Sequence, residues 1–399
     1  MPLPSFEFAS VGRVIFGRGQ FKRVGELAAE LGRNALVVTN ADRAGTQGLL
    51  SRLAEPLAAH GVAHTLFRLD GEPRAEDVDR GVAAARDAQC DILLALGGGS
   101  AIDAAKAIAG LLTNGGMALD YLEVVGKGRK IARPAAPWIA IPTTAGTGAE
   151  VTRNAVIACP EKQFKASIRS HHLLPRVALV DAELHVHVRR EVTARSGMDA
   201  LTQLLEAYTS TGAEPLTDAL ALEGLACAAR SLQRAYEHGD DLDAREDMAL
   251  AALLSGLCLS NAGLGAVHGF AAPLGARFAA PHGAVCAALL PHVLEANTAA
   301  LQALSASDAR ARAVLERYAT AGRLLAGNCA LAQPDAVRAC VARTRRLVAE
   351  LHIPRLSVFG MTESDVPALV ALAQKSSSMR YNPVALSADA LAHILRQAL

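Results

Sequence analysis

The sequence predicts an α/β N-terminal domain built on a parallel sheet, followed by an all-α C-terminal domain. Three observations carry this. Short apolar runs alternate with amphipathic segments through the first half of the chain. Strand-like runs stop near residue 185, and Ala/Leu-rich segments with helical spacing continue to the end. The length of 399 residues exceeds one ordinary core, which makes two domains the natural division.

Residues 35–39 (ALVVT), 91–96 (DILLAL), 138–142 (WIAIP) and 177–180 (VALV) read as buried strands. Helices are expected between the first two, over 46–60 and 75–88, and strands spaced by helices imply a parallel sheet wrapped on both faces. Gly17-Arg18-Gly19 reads as a hairpin turn. Residues 201–209, 216–236, 248–259 and 335–351 carry helical spacing. The division is therefore 1–185 for the α/β domain and 186–399 for the helical one, with the junction inside 182–192. Residues 248–276 contain no Asp, Glu, Lys or Arg, but they are rich in Ala and Gly and hold Asn261, His268 and Pro273. They predict a buried helix pair rather than a bilayer span, and no membrane partner is expected.

Composition narrows the class. Hydrophobic residues make up 51% and charged residues 20%, a globular balance. A formal net charge of +1 argues against nucleic acid or another polyanionic partner. The seven cysteines, at 90, 159, 227, 258, 286, 329 and 340, form no CxxC unit and are odd in number. They read as free, mostly buried thiols of a reducing cytoplasm, against a disulfide framework and against a cysteine-ligated metal. The N-terminus lacks the basic start and long apolar run of a signal peptide, so a cytoplasmic location is expected.

The stretch 96–106, LGGGSAIDAAK, runs from a predicted strand into a predicted helix. Glycines there let the backbone approach an anion closely, and the helix start offers unpaired N–H groups with a favourable dipole. This is a recipe for a Rossmann-like pyrophosphate site. A second polar cluster, Thr143, Thr144, Thr147 and Thr152 with Gly146 and Gly148, follows another strand. Its hydroxyls suit a phosphate, ribose or amide, and open parallel sheets bind ligands at that edge.

Asp199 and Gln203 are four residues apart at the start of a predicted helix and face one way. Downstream, His268 and His282 each precede a glycine in a largely uncharged setting. A single buried histidine is more often a hydrogen-bonded core residue, whereas two with a carboxylate favour a metal. Asp199, His268 and His282 would offer one oxygen and two nitrogens to Fe²⁺ or Zn²⁺ acting as a Lewis acid. Such a cation stabilises an alkoxide for hydride donation, and in reverse polarises an aldehyde carbonyl.

Taken in order, FASVGRVIFG, GGGSAIDAAK, PTTAGTGAEVT, SGMDALTQLLEAY, GLGAVHGFAAPLGARFAAPHG and the tail Arg380-Tyr381-Asn382-Pro383 resemble the iron-containing alcohol dehydrogenases. That family shares its design with glycerol dehydrogenase and dehydroquinate synthase, and the resemblance spans nearly the whole chain. It implies an NAD(P)-dependent alcohol dehydrogenase or aldehyde reductase that transfers hydride between nicotinamide and a metal-bound small alcohol or aldehyde. It implies that Gly97, Gly98, Gly99, Ser100 and Asp103 hold the dinucleotide, with Thr143, Thr144, Thr147, Asn154 and Lys165 lining the same cleft. Asp199, His268 and His282 match metal ligands and catalytic residues. The reaction cleft would lie between the two domains, and a homo-oligomer is expected.

Three departures accompany the match. The family usually has a fourth ligand, a histidine, where Gln203 stands, and Gln203 could offer its carbonyl oxygen instead. A further histidine four residues after the His268 position is here Ala272, which removes a possible proton relay and enlarges the pocket. The aspartate that favours NAD is here Asn40, so NADP is a possible cofactor beside NAD, with Arg43 the local candidate for a 2′-phosphate. The alternatives are a metal-independent reductase resembling maleylacetate reductase, and a nucleotide-binding protein without turnover. Among the remaining residues, Cys286 reads as core packing and His171-His172 as loop surface. His185 and His187 read as hinge or surface, and Arg343, Arg345 and Arg346 as a solvated helix face.

Overall fold

The computed structural model describes residues 5–40, 48–162 and 164–399. These fall into two compact units, Ala9–Arg189 and Arg190–Leu399, the latter joined by the described residues up to Phe8.

In the first unit the elements run β1 (Arg13–Phe16), α1 (Val24–Leu31), β2 (Asn34–Thr39), α2 (Leu49–Ala59), β3 (Ala63–Arg68) and α3 (Ala75–Asp87). Then come β4 (Ile92–Gly97), α4 (Gly99–Asn114), α5 (Ala118–Tyr121), β5 (Trp138–Pro142), β6 (Asn154–Cys159), β7 (Phe164–Arg169) and β8 (Val177–Val180). Six strands form one sheet in the order β1-β8-β5-β4-β2-β3, every pair parallel. The expected strands are β2, β4, β5 and β8, the interior ones. Their side chains alternate between two cores. Leu36, Val38, Leu93 and Ala95 join Val78, Val82, Ile102 and Ile108 on one face, while Val37, Leu94, Ile139 and Ile141 join Val24, Leu27, Leu53 and Leu57 on the other.

Four features depart from expectation. The edge strands β1 and β3 carry largely exposed faces, so neither shows the apolar run that marks a doubly covered strand. Residues 17–19 make no hairpin: β1 pairs in parallel with β8, and the turn leads into a short helix whose Phe21 N–H donates to Asp181 Oδ2 at 2.8 Å. Outside the sheet, β6 and β7 pair as an antiparallel hairpin that the sequence pattern did not disclose. His185, expected at a surface or hinge, is buried with its Nε2 at 3.2 Å from the Pro142 carbonyl, while His187 is exposed.

The second unit comprises α6 (Arg190–Thr209), α7 (Pro215–Glu237), α8 (Leu242–Ala262), α9 (Ala266–Phe278) and α10 (His282–Leu304). It continues with α11 (Ala309–Ala326), α12 (Gln333–Glu350), α13 (Val366–Ala373) and α14 (Ala388–Ala398). Every residue of α6 from Gly197 to Thr209 is buried, enclosed by α7, α8 and α10, although Asp199, Gln203 and Glu206 are among them. The uncharged stretch 248–276 forms α8 and α9, bent by 100° at the intervening break. Gly263 turns that corner at φ +73°, with the Tyr381 ring so close that a Cβ would sit 2.7 Å from it. α10 is long and apolar enough to cross a membrane, but 72% of its apolar window is buried within the protein. On α12, Arg345 and Arg346 are exposed as expected; Arg343 is half-buried, paired with Glu350 and bonded to Gln233 of α7.

Candidate active site

Three helices of the second unit bring the ligand candidates together. Asp199, Gln203 and Glu206 lie along one side of α6, at i, i+4 and i+7. α9 starts against this side because Gly265 has no side chain: a Cβ there would fall 2.8 Å from Glu206 Oε1. The carboxylate of Glu206 then holds the helix start. Its Oε1 accepts the Val267 N–H at 2.7 Å and its Oε2 lies 2.6 Å from His268 Nδ1, while Asn382 Oδ1 accepts the Ala266 N–H at 3.1 Å. α10 begins at His282, and Gly283 lets it touch α6, since a Cβ there would fall 2.2 Å from the Arg195 carbonyl oxygen.

The result is a tight cluster. Asp199 Oδ1 is 3.4 Å from His268 Nε2 and 3.4 Å from His282 Nε2. Cys286 Sγ is 3.7 Å from His268 Nε2 and 3.6 Å from His282 Nε2. One donor atom from each of Asp199, His268, His282 and Cys286 lies within 4.8 Å of the others. Gln203 is fully buried one turn along α6, and its Nε2 donates to Ser255 Oγ at 3.0 Å.

The electrostatics favour a cation. Burial alone would raise the Asp199 carboxyl, but the two imidazoles, His282 foremost, overcome it and hold that carboxyl well below the usual range. Burial disfavours protonated His268, yet Cys286, Asp199 and Glu206 outweigh it and hold the ring well above its ordinary value. The same balance lifts His282 to about 10. Although 44% of the His282 side chain is exposed, its Nε2 faces the buried carboxylate. With the Glu206 carboxylate accepting from Nδ1, the proton that a metal would displace is the one on Nε2, the carboxylate–histidine arrangement that orients metal ligands. The residues therefore fit a divalent cation held by Asp199, His268 and His282.

Two residues here were missed or misread from sequence. Glu206 was not singled out, although its place seven residues after Asp199 was a usable signal. Cys286 was read as core; it is buried, but its sulfur faces two ligand nitrogens, and its place four residues after His282 puts both on one side of α10.

The first unit assembles the other expected site. β2 continues to β3 on one side of the sheet, while β4 continues to β5 on the other, so the topology switches between β2 and β4. Ligands of open parallel sheets bind outside the carboxyl ends at such a point. There Asn40 packs on the glycine loop, since a Cβ on Gly97 would lie 2.4 Å from Asn40 Oδ1. Gly97 O accepts the Thr143 N–H at 3.0 Å, and a Cβ on Gly98 would lie 3.3 Å from Thr144 Oγ1. Gly98 caps α4, and Gly99 and Ser100 open its first turn, where amides lack intrahelical partners. Among the described residues, a Cβ on Gly99 would meet nothing within 4 Å. Thr147 is half-buried in the same loop that carries Thr143 and Thr144.

The other expected cofactor residues have partners of their own: Asp103 lies one turn after Gly99 on α4. Asp103 Oδ2 accepts the Val156 N–H at 3.1 Å, and its Oδ1 lies 3.6 Å from Lys106. Lys165 pairs with Glu72 at 2.7 Å. Asn154 and Lys165 lie toward opposite ends of the hairpin, since Lys165 faces Ala158 and Asn154 faces Arg169. Four residues along a strand separate them by ~13 Å. Arg43 falls outside the described residues.

Comparison with known proteins settles the family. Residues 12–182 match the profile of iron-containing alcohol dehydrogenases, and residues 193–399 match that of the family's C-terminal domain. The chain belongs to the iron-containing alcohol dehydrogenase family. It is 35% identical to 1,3-propanediol dehydrogenase of Klebsiella pneumoniae, over 96% of both chains. It is 33% identical to NAD-dependent methanol dehydrogenase of Bacillus methanolicus, over 96% of this chain and 97% of that protein. A crystal structure of 1,3-propanediol oxidoreductase superposes with a TM-score of 0.90 at 34% identity, covering 99% of this chain and 100% of that one. This family member is thus an oxidoreductase, and a reading without turnover or without metal is not favoured beside a retained Asp-His-His cluster.

Proposed function

We propose that the chain is a metal-assisted dehydrogenase that uses NAD, and tolerates NADP, to interconvert a small alcohol and its aldehyde. The observation that carries the reading is one carboxylate oxygen, Asp199 Oδ1, lying 3.4 Å from two imidazole nitrogens, one of them oriented by Glu206. NAD use is supported by the named dependence of the methanol dehydrogenase relative.

Asp199, His268 and His282 would hold Fe²⁺ or Zn²⁺, which when bound supplies Lewis acidity toward the substrate oxygen. The glycine loop and the first turn of α4 receive the pyrophosphate through backbone N–H groups. Thr143, Thr144 and Thr147 add hydroxyls at the same sheet edge. Asn40 brings no charge to repel a 2′-phosphate, which supports tolerance of NADP. Ala272, exposed one turn beyond His268, leaves open a position that a histidine ring would fill. A reducing cytoplasm fits seven free thiols, five of them buried.

The test is aldehyde reduction with NADH and NADPH by wild type and Asp199→Ala. The variant should lose turnover by ~1,000-fold or more while NADH binding, read by fluorescence, stays unchanged. Retained turnover would reject the assignment of Asp199.

A further inference from the structure

We propose that Cys286, as its thiolate, supplies the fourth metal ligand in place of the histidine replaced by Gln203, making an Asp/His/His/Cys centre that prefers zinc to iron. The inference rests on the reading of Asp199, His268 and His282 as metal ligands, and it names a donor outside the family pattern.

The distances carry it. For a tetrahedral cation with bonds of ~2.0–2.1 Å to N and O and ~2.3 Å to S, N···O edges are about 3.3–3.4 Å and N···S edges about 3.5–3.6 Å. The structure has both N···O separations at 3.4 Å and the two N···S separations at 3.7 and 3.6 Å. A thiol engaged in one hydrogen bond has no reason to sit equally near two imidazole nitrogens. The sulfur is instead placed as one vertex of a polyhedron whose other vertices are Asp199 Oδ1 and both Nε2 atoms.

Helix geometry explains how a substitution on one helix can answer another. His282 and Cys286 are one turn apart on α10, so both side chains reach the same point. Gln203 is on α6, and its amide nitrogen is committed to Ser255 of α8. A sulfur at 286 in place of an imidazole at 203 keeps four protein donors while placing one of them on another helix. Thiolate is a softer donor than imidazole or carboxamide oxygen, and zinc accepts mixed S/N/O tetrahedra readily. The substrate oxygen would enter as a fifth ligand, an expansion that zinc sites permit.

The full-length protein would be stripped of metal and loaded with cobalt(II) as a spectroscopic stand-in for zinc. Wild type should bind one cobalt per chain and show a near-ultraviolet thiolate-to-cobalt charge-transfer band. Cys286→Ser should lose that band, and Cys286→Ala should weaken cobalt binding by at least the ~10–100-fold that losing a ligand's outer hydrogen-bond partner costs. Cys329→Ser, at the exposed cysteine, should keep the band. Cys286→Ala with Gln203→His should recover cobalt binding without the band. In competition, wild type should take zinc over iron(II), and the double variant should shift toward iron.

One cobalt per chain with no charge-transfer band in wild type would overturn this proposal and leave the three-ligand reading standing. A band of equal intensity in Cys286→Ser would do the same. No cobalt uptake would overturn both. The wild-type spectrum alone suffices for rejection if a variant fails to fold.

Discussion

Replacing Glu206 by glutamine tests the orientation of His268 with almost no change in shape. Both carboxylate oxygens accept in this structure, Oε1 from Val267 N–H at 2.7 Å and Oε2 from His268 Nδ1 at 2.6 Å. Glutamine offers one accepting oxygen and one donating NH₂. With its oxygen kept on Val267, the NH₂ faces Nδ1 and forces the imidazole proton onto Nε2, the atom directed at Asp199 and the metal position. To bind metal, His268 must then return its proton to Nδ1 and lose that hydrogen bond. A bond to a charged group contributes about 1.5–3 kcal/mol, or roughly 10–100-fold in metal affinity. The assay is a competition titration of the metal-free Glu206→Gln protein with a chromophoric zinc chelator, alongside thermal unfolding to confirm the fold. Zinc affinity within twofold of wild type in a folded variant would refute the orienting role.

Further outcomes follow from the same geometry. Gly97→Ala places a Cβ 2.4 Å from Asn40 Oδ1 and 2.8 Å from Ala101 Cβ, so overpacking should cost ~1–3 kcal/mol in denaturant unfolding as well as weaken NADH binding. Gly99→Ala meets nothing within 4 Å among the described residues, so its stability should stay within ~0.5 kcal/mol while NADH titration weakens roughly tenfold. Burial raises Glu150 from 4.5 to about 7, against the lowering pull of a backbone N–H and Lys106, which burial itself lowers. The native state therefore holds a proton that the unfolded chain releases near 4.5. The resulting stability is fully present below that pH, falls as pH rises, and is gone above about 7. The gap corresponds to roughly 3 kcal/mol, so Glu150→Gln should remove this slope from urea midpoints measured across pH, and parallel curves would exclude it. Ala272→His should narrow the range of alcohol chain lengths turned over, and unchanged relative rates would remove the open-pocket idea.

What the sequence disclosed follows from burial. β2, β4, β5 and β8 are covered on both faces and read as continuous apolar runs, whereas β1 and β3 are edges whose composition follows solvent as much as sheet. The turn after β1 has the glycines of a hairpin, yet its partner strand β8 arrives more than 150 residues later, a pairing local composition cannot encode. In the site, Asp199, His268 and His282 were visible as polar residues in uncharged surroundings. Cys286 was hidden for the converse reason: a cysteine on an apolar helix looks like core. Its role depends on α10 docking against α6 through Gly283, a contact between distant segments. Asp103 and Lys165 matched motifs, and the fold adds partners the sequence could not name, the Val156 backbone for the first and Glu72 for the second.

The central claim is that Asp199, His268 and His282 hold a cation on which turnover depends. The most direct measurement quantifies zinc and iron per chain in protein purified without chelator or affinity metal. NADH-dependent aldehyde reduction is then followed before chelation, after it, and after metal is returned. The account predicts about one metal per chain, loss of turnover on chelation and recovery on reloading with zinc. Full turnover in metal-free protein would contradict it.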